Sequence, residues 1–117
     1  MSAPVVAGGS RADGSVEMLD RGGGRLEVKG ALTFATARKA RQQGLQLLDA
    51  ASAAEIEIDC SGVTASDSAG LSVLLDWLAA ARAARRSLQL RNLPEPIRAV
   101  AQISDVAEIL EAGVTVA

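Results

Sequence analysis

The chain has 117 residues, a formal net charge of −2, 49% hydrophobic and 22% charged residues, which suits one globular domain and is too short for two. It contains no histidine and one cysteine, which argues against Ser-His-Asp catalysis, thiolate metal cages and intrachain disulfides. One Phe, one Trp, no Tyr and dispersed Lys and Arg argue against nucleic-acid binding.

The first residues differ in character from the rest of the chain. Residues 1–14 are rich in Gly, Ser and Ala without periodicity, which predicts a disordered leader and leaves 15–117 as the folded domain. The leader lacks the charged and apolar regions of a signal peptide, and no apolar run approaches the roughly 18 to 20 residues that cross a bilayer. We therefore expect a soluble, cytoplasmic protein without direct membrane insertion.

The first half of the domain alternates polar and apolar side chains before changing to a helical period. Strands are predicted over 15–19 and 25–29, with the turn-rich segment 20–24 between them as a hairpin connection. Gly30 ends the second strand, and the loop 31–36 leads into a helix predicted over about 36–51.

The second half repeats strand and helix. A strand over 55–60, a loop, a long helix over about 68–86 and a strand over 87–91 are predicted, with Arg82, Arg85 and Arg86 as a solvated helix end. Pro94 and Pro96 open a short helix, Ser104 and Asp105 cap a last one, and 114–116 adds a small strand or frays. Strands joined through helices predict an α/β domain whose mixed sheet has helices packed on one face.

The loop before the long helix concentrates short polar side chains. Asp67 is the best N-cap candidate, which would leave Ser68 at the first helical position, free to point outward. Two interpretations remain open from the residues alone: Ser66, Asp67 and Ser68 only cap and solvate the helix, or they form an exposed contact. Catalysis is not expected, because no histidine is present to activate the serine.

These residues also carry a family resemblance. The segments 56–63 (Ile-Glu-Ile-Asp-Cys-Ser-Gly-Val) and 67–71 (Asp-Ser-Ala-Gly-Leu) resemble the hallmark of the STAS domain, the fold of anti-anti-sigma factors and of the cytoplasmic tails of sulfate transporters. The resemblance covers about residues 15–111. It implies a STAS fold, which agrees with the element order predicted above.

Within that family, the segments 30–36, 71–78 and 92–94, the last together with Ala101, Ile103 and Ser104, are similar to those of MlaB-like members. This resemblance implies a non-enzymatic STAS subunit of a phospholipid-transporting ABC complex that supports outer-membrane lipid asymmetry. Such a subunit would bind an MlaF-like ATPase, which works with an inner-membrane permease, and would thus be peripheral to that membrane. No cofactor and no metal are implied.

The expected partner-binding residues lie on the loop, the helix start and the neighbouring loop. They are Thr33, Phe34, Ser66, Asp67, Ser68, Ala69 and Ser72. Trp77 either packs in the core or borders the interface. The alternative is an anti-sigma factor antagonist regulated by phosphorylation of Ser68. Leu32 and Thr33 stand where such proteins usually carry an acidic residue, which weakens that alternative.

Overall fold

The computed structural model describes residues 14–116, so most of the predicted leader lies outside the described residues. Within this range the chain forms a four-stranded sheet and four helices. The strands are β1 (Val16–Gly22), β2 (Arg25–Leu32), β3 (Glu55–Ser66) and β4 (Ser87–Arg91). The helices are α1 (Ala37–Ala50), α2 (Ser68–Ala83), α3 (Glu95–Ile103) and α4 (Ala107–Ala112).

The sheet has the order β1-β2-β3-β4, and its pairing follows from the connections. β1 and β2 are antiparallel, because the turn between them is short: Gly22 at the end of β1 and Gly23 and Gly24 in the turn adopt φ values of 87°, 65° and 85°. β3 is parallel to β2 and β4 is parallel to β3, with a helix in each connection. The predicted α/β mixed sheet is therefore confirmed.

One face of the sheet carries the core. Alternate strand residues are buried, and those between them are polar and more exposed, so the helices cover one face, and no element of residues 14–116 covers the other. The buried strand positions include Leu26, Val28, Ile56, Ile58, Cys60, Leu88 and Leu90.

Of the two predicted positions for Trp77, the structure has the one in the core. Its side chain is fully buried where α2 packs against α1, and its Nε1–H donates to the carbonyl oxygen of Arg41 at 3.4 Å. Gly44 on α1 faces the indole so closely that a methyl group there would overlap the ring.

β3 continues beyond the predicted strand end at residue 60 and reaches Ser66. β4 pairs with β3 only as far as Asp59. The second half of β3 therefore has hydrogen-bonded pairing with β2 alone. Register shifts on the β2 side between Glu27 and Lys29 and between Gly30 and Ala31 insert extra β3 residues. These bulges break the alternation of buried and exposed side chains from which a strand is predicted. This explains why a loop was predicted for residues 61–66.

Two predicted helix boundaries are wrong. α2 ends at Ala83 rather than near 86, because Arg85 adopts a φ of 58° that stops the helix. Arg86 is half-buried, and its guanidinium donates to the carbonyl oxygens of Ala51 and Ala53, so it is not a solvated side chain. α4 begins after Val106 without a side-chain cap, so Ser104 and Asp105 do not cap it.

The outer edge of β4 is covered by the chain after α4. Val114 forms an isolated antiparallel bridge with Leu88, with N–H···O distances of 2.8 Å in both directions. The N–H of Val116 donates to the Ser87 hydroxyl at 2.9 Å. The predicted small final strand is thus one bridge that satisfies backbone groups on an edge strand.

Candidate functional site

The structure brings the two predicted segments together at one edge of the sheet. β2 and β3 are parallel, so their carboxyl ends meet, with Leu32 opposite Ser66. Just beyond, the Asp67 N–H donates to the carbonyl oxygen of Leu32 at 3.2 Å. We call the surface formed by Thr33, Phe34, Ser66, Asp67, Ser68, Ala69 and Ser72 the serine corner.

Asp67 is the N-cap of α2, as predicted, and it also binds the neighbouring loop. Its Oδ1 accepts hydrogen bonds from the N–H groups of Ala69 at 2.9 Å and Gly70 at 3.4 Å. Its Oδ2 accepts from the Phe34 N–H at 3.1 Å. One carboxylate therefore fixes the helix start and the loop after β2 relative to each other.

Thr36 shapes the same loop from inside and was missed by sequence reasoning. It is 3% exposed, and its hydroxyl donates to the Ala31 carbonyl oxygen at 2.7 Å while accepting from the Thr33 N–H at 3.0 Å. A threonine directly before a helix is typical of an N-cap, but the Thr36 side chain makes no capping hydrogen bond to α1. Its bonds fold the loop back on itself and hold Phe34 at the surface.

Gly70 explains how closely α2 approaches the sheet. A Cβ at this position would overlap the carbonyl oxygen of Leu32, so the first turn of α2 rests directly on the end of β2. Only glycine allows this contact without displacing backbone. The Asp-Ser-x-Gly sequence is thus a structural device that seats Ser68 next to the loop containing Phe34.

The outward side of the serine corner is uncharged apart from Asp67, whose carboxylate is already bonded. Ser68 and Ser72 are exposed one helical turn apart, whereas Thr33, Ser66 and Ala69 are half-buried. The Phe34 side chain is 86% exposed, although its backbone is fixed. An exposed aromatic ring on a rigid loop beside small polar groups suits contact with another protein.

Two other ionisable side chains, Cys60 and Asp59, have shifted pKa values that burial and hydrogen bonding explain. Burial raises the pKa of the Cys60 thiol to about 12, so the thiol stays protonated and a poor nucleophile. The Asn92 side-chain amide and the Ser61 N–H donate to Asp59 and lower the pKa of its carboxyl. Residues 14–116 hold no cluster of three or more His, Cys, Asp or Glu that could bind a metal, and none of their helices has the length and hydropathy of a membrane span.

Comparisons with known proteins agree with this fold. A family model described as "Mlab, STAS domain" matches residues 17–111. No curated protein matches the sequence. A solved structure of the unphosphorylated anti-sigma factor antagonist SpoIIAA has a similar fold, with a TM-score of 0.58 and 15% identity over 76% of this chain and 83% of that chain. The chain belongs to the STAS domain family and, within it, is most like MlaB.

Proposed function

We propose that this chain is the STAS subunit of a phospholipid-transporting ABC complex. It binds the cytoplasmic ATPase subunit, supports its assembly and activity, and through that ATPase is held at an inner-membrane permease. In this role it takes part in maintaining outer-membrane lipid asymmetry without catalysing a reaction itself. The match of the MlaB family model to residues 17–111 supports this assignment.

The observation that carries the proposed contact is the exposure of Phe34 beside Ser68. An 86% exposed phenylalanine is costly on an unpartnered surface, and its burial against a partner contributes about 1.5 to 3 kcal/mol. The bond from the Phe34 N–H to Asp67 means that little backbone ordering is required on binding. We therefore assign the ATPase contact to the serine corner.

The experiment replaces Ser68 with Arg and measures co-purification with the ATPase subunit. A long cation at the first position of α2 adds bulk and charge to a surface whose only carboxylate is already bonded, so bound ATPase is expected to fall roughly tenfold or more. Ser52→Arg is the matched control, because Ser52 is also exposed but lies in the segment before β3. Thermal unfolding of the isolated variants checks the fold, and undiminished ATPase binding by a folded Ser68→Arg protein would refute the site.

A second candidate function is that of an anti-sigma factor antagonist switched by phosphorylation of Ser68. The observation in its favour is the exposed hydroxyl of Ser68 at the start of α2, where the helix dipole tolerates a phosphate. A phosphate carries about −1.5 to −2 charges and would repel a partner docked at this surface.

The two functions are separated by incubating the protein with candidate cytoplasmic kinases and mapping any phosphate. Modification at Ser68 that is lost in Ser68→Ala, together with release of a kinase partner, supports the antagonist. Neighbouring genes give an independent indication: a permease, an ATPase and a lipid-binding protein favour the transporter, and a sigma factor with its kinase favours the switch.

A further inference from the structure

We propose that the α3–α4 corner, residues 95–112, is a second docking surface that binds a basic amphipathic helix of a partner protein. The proposal does not depend on the ATPase contact, because it concerns different residues. Three properties of the corner support it: exposed aliphatic side chains, an excess of negative charge and a fixed backbone.

The aliphatic side chains are the first property. Ile103 at the end of α3 is 86% exposed and Ile109 on α4 is 53% exposed, which together with Phe34 makes them the large exposed hydrophobic residues among those described. α3 already buries Ile97 and Ala101 in the core. Ile103 lies outside that buried side, at the end of a helix whose other exposed residues include Arg98 and Gln102. A large aliphatic side chain left exposed among polar ones indicates a contact with a partner.

The corner lies away from the serine corner. α2 starts at the carboxyl end of β3 and, as a crossover helix, runs back toward the amino ends of the strands. α3 likewise follows the carboxyl end of β4 and runs back, so Ile103, its last residue, lies toward the end of the sheet where the parallel strands begin. The chain leaving α4 then bridges Leu88, the second residue of β4. A partner at the α3–α4 corner can therefore bind together with one at the serine corner.

The charge of the corner identifies the kind of occupant. Residues 95–112 contain Glu95, Asp105, Glu108 and Glu111 against Arg98, a net charge of −3 in a chain whose total is −2. Arg98 is paired with Glu111 at 3.5 Å. An anionic membrane surface and a second copy of this corner would both be repelled. A helix with Lys and Arg beside aliphatic side chains complements both the charge and the isoleucines.

The backbone between α3 and α4 is already ordered by hydrogen bonds. Asp105 adopts a φ of 66°, and the Val106 N–H donates to the Ala101 carbonyl oxygen at 2.9 Å, which closes a tight helix end. The Ser104 N–H donates to the Val100 carbonyl oxygen at 2.9 Å. Ile103 and Ile109 thus lie on the two helices that this hydrogen-bonded turn connects, so docking requires little ordering of this chain.

The test titrates the full chain with a synthetic leucine–lysine peptide of about 18 residues, whose leucines recur at helical spacing. A scrambled peptide of the same composition and a leucine–glutamate peptide are the ligand controls. The double variant Ile103→Ser/Ile109→Ser is expected to weaken binding roughly tenfold or more. Glu108→Lys is expected to weaken it as well, and to reduce its dependence on salt. Gln42→Ser, an exposed substitution on α1 and outside both proposed surfaces, should bind as the wild type does.

Specific outcomes would overturn the proposal. Equal affinity for the scrambled peptide, or unchanged binding by the folded double variant, would show that the corner is not the site. Binding of the chain to anionic lipid vesicles through Ile103 would replace the protein partner with a membrane. A concentration-dependent dimer that Ile103→Ser dissociates would replace it with a second copy. Thermal unfolding confirms that the variants fold, as expected for exposed positions.

Discussion

The serine corner depends on one carboxylate that serves two segments. The Oδ1 of Asp67 caps α2, and its Oδ2 holds the Phe34 N–H at 3.1 Å. These two interactions differ in what they support, because the first stabilises a helix and the second positions an exposed aromatic ring. Substitutions that remove one interaction at a time can separate stability from binding.

We predict that Asp67→Ala and Asp67→Asn have different effects on stability and similar effects on binding. Asp67→Ala removes the cap and is expected to lower the free energy of unfolding by about 0.5 to 2 kcal/mol. Asp67→Asn keeps one oxygen for the Ala69 N–H but turns an NH₂ group toward the Phe34 N–H, so the cap persists and the loop is released. Urea unfolding measures the first effect.

Hydrogen exchange of the Phe34 amide measures the second effect, since the loss of its acceptor should accelerate exchange in both variants. Partner binding should weaken in both for the same reason. If the Phe34 amide exchanges at the wild-type rate in Asp67→Asn, the loop is held by other contacts and this account of Asp67 is wrong.

Individual residues were predictable from the sequence where their role is local. The capping by Asp67 follows from residue type and position relative to the helix, and the structure confirms it. The role of Thr36 was not predictable, because its bonds to residues three and five positions back require the folded loop. The contact of Asp67 with Phe34 joins residues 33 positions apart and depends on the parallel pairing of β2 and β3.

At the scale of elements, α1 and α2 are joined by one close contact. The indole of Trp77 lies against Gly44, and the Arg41–Asp76 ion pair at 3.0 Å spans the exposed side of the same contact. The ion pair is exposed and contributes little. The helix spacing is therefore set by the absence of a side chain at residue 44.

We predict that Gly44→Ala destabilises the protein, although alanine is the better helix former. The new methyl group overlaps the indole and costs about 1 to 3 kcal/mol as overpacking. The gain in helix propensity is about 1 kcal/mol, so a net loss is expected. Gln42→Ala, exposed on the same helix, is the control and should lie within about 0.5 kcal/mol of the wild type.

Urea unfolding followed by Trp77 fluorescence measures both variants, because a displaced indole also changes its emission. A stabilised Gly44→Ala protein with unchanged emission would contradict the prediction, because it would show that α1 and α2 move apart enough to accommodate the methyl group without cost. The sequence predicted a helix that contains Gly44, but the residue that faces Gly44 depends on how two helices pack. For the same reason the sequence left the position of Trp77 open.

At the scale of the whole molecule, the sequence predicted the order and type of the elements. This success follows from strong periodicity in β2 and α2 and from the turn residues between elements. It was less successful where tertiary pairing overrides local pattern, as in the bulged half of β3. The bridge at Val114 is a second case, because its backbone groups find their partners on Leu88, 26 positions earlier.

That bridge closes one edge of the sheet, and we predict that Val114→Pro opens it. Proline removes the N–H that donates to the Leu88 carbonyl oxygen at 2.8 Å, which should cost about 1 to 3 kcal/mol and expose an edge strand. Val114→Ala is the matched control, since it loses buried side-chain packing but keeps the N–H. Thermal unfolding and light scattering should therefore show a lower melting temperature for both variants and concentration-dependent association for Val114→Pro alone. Association of the two variants to the same extent would mean that side-chain packing, rather than the backbone bridge, protects this edge.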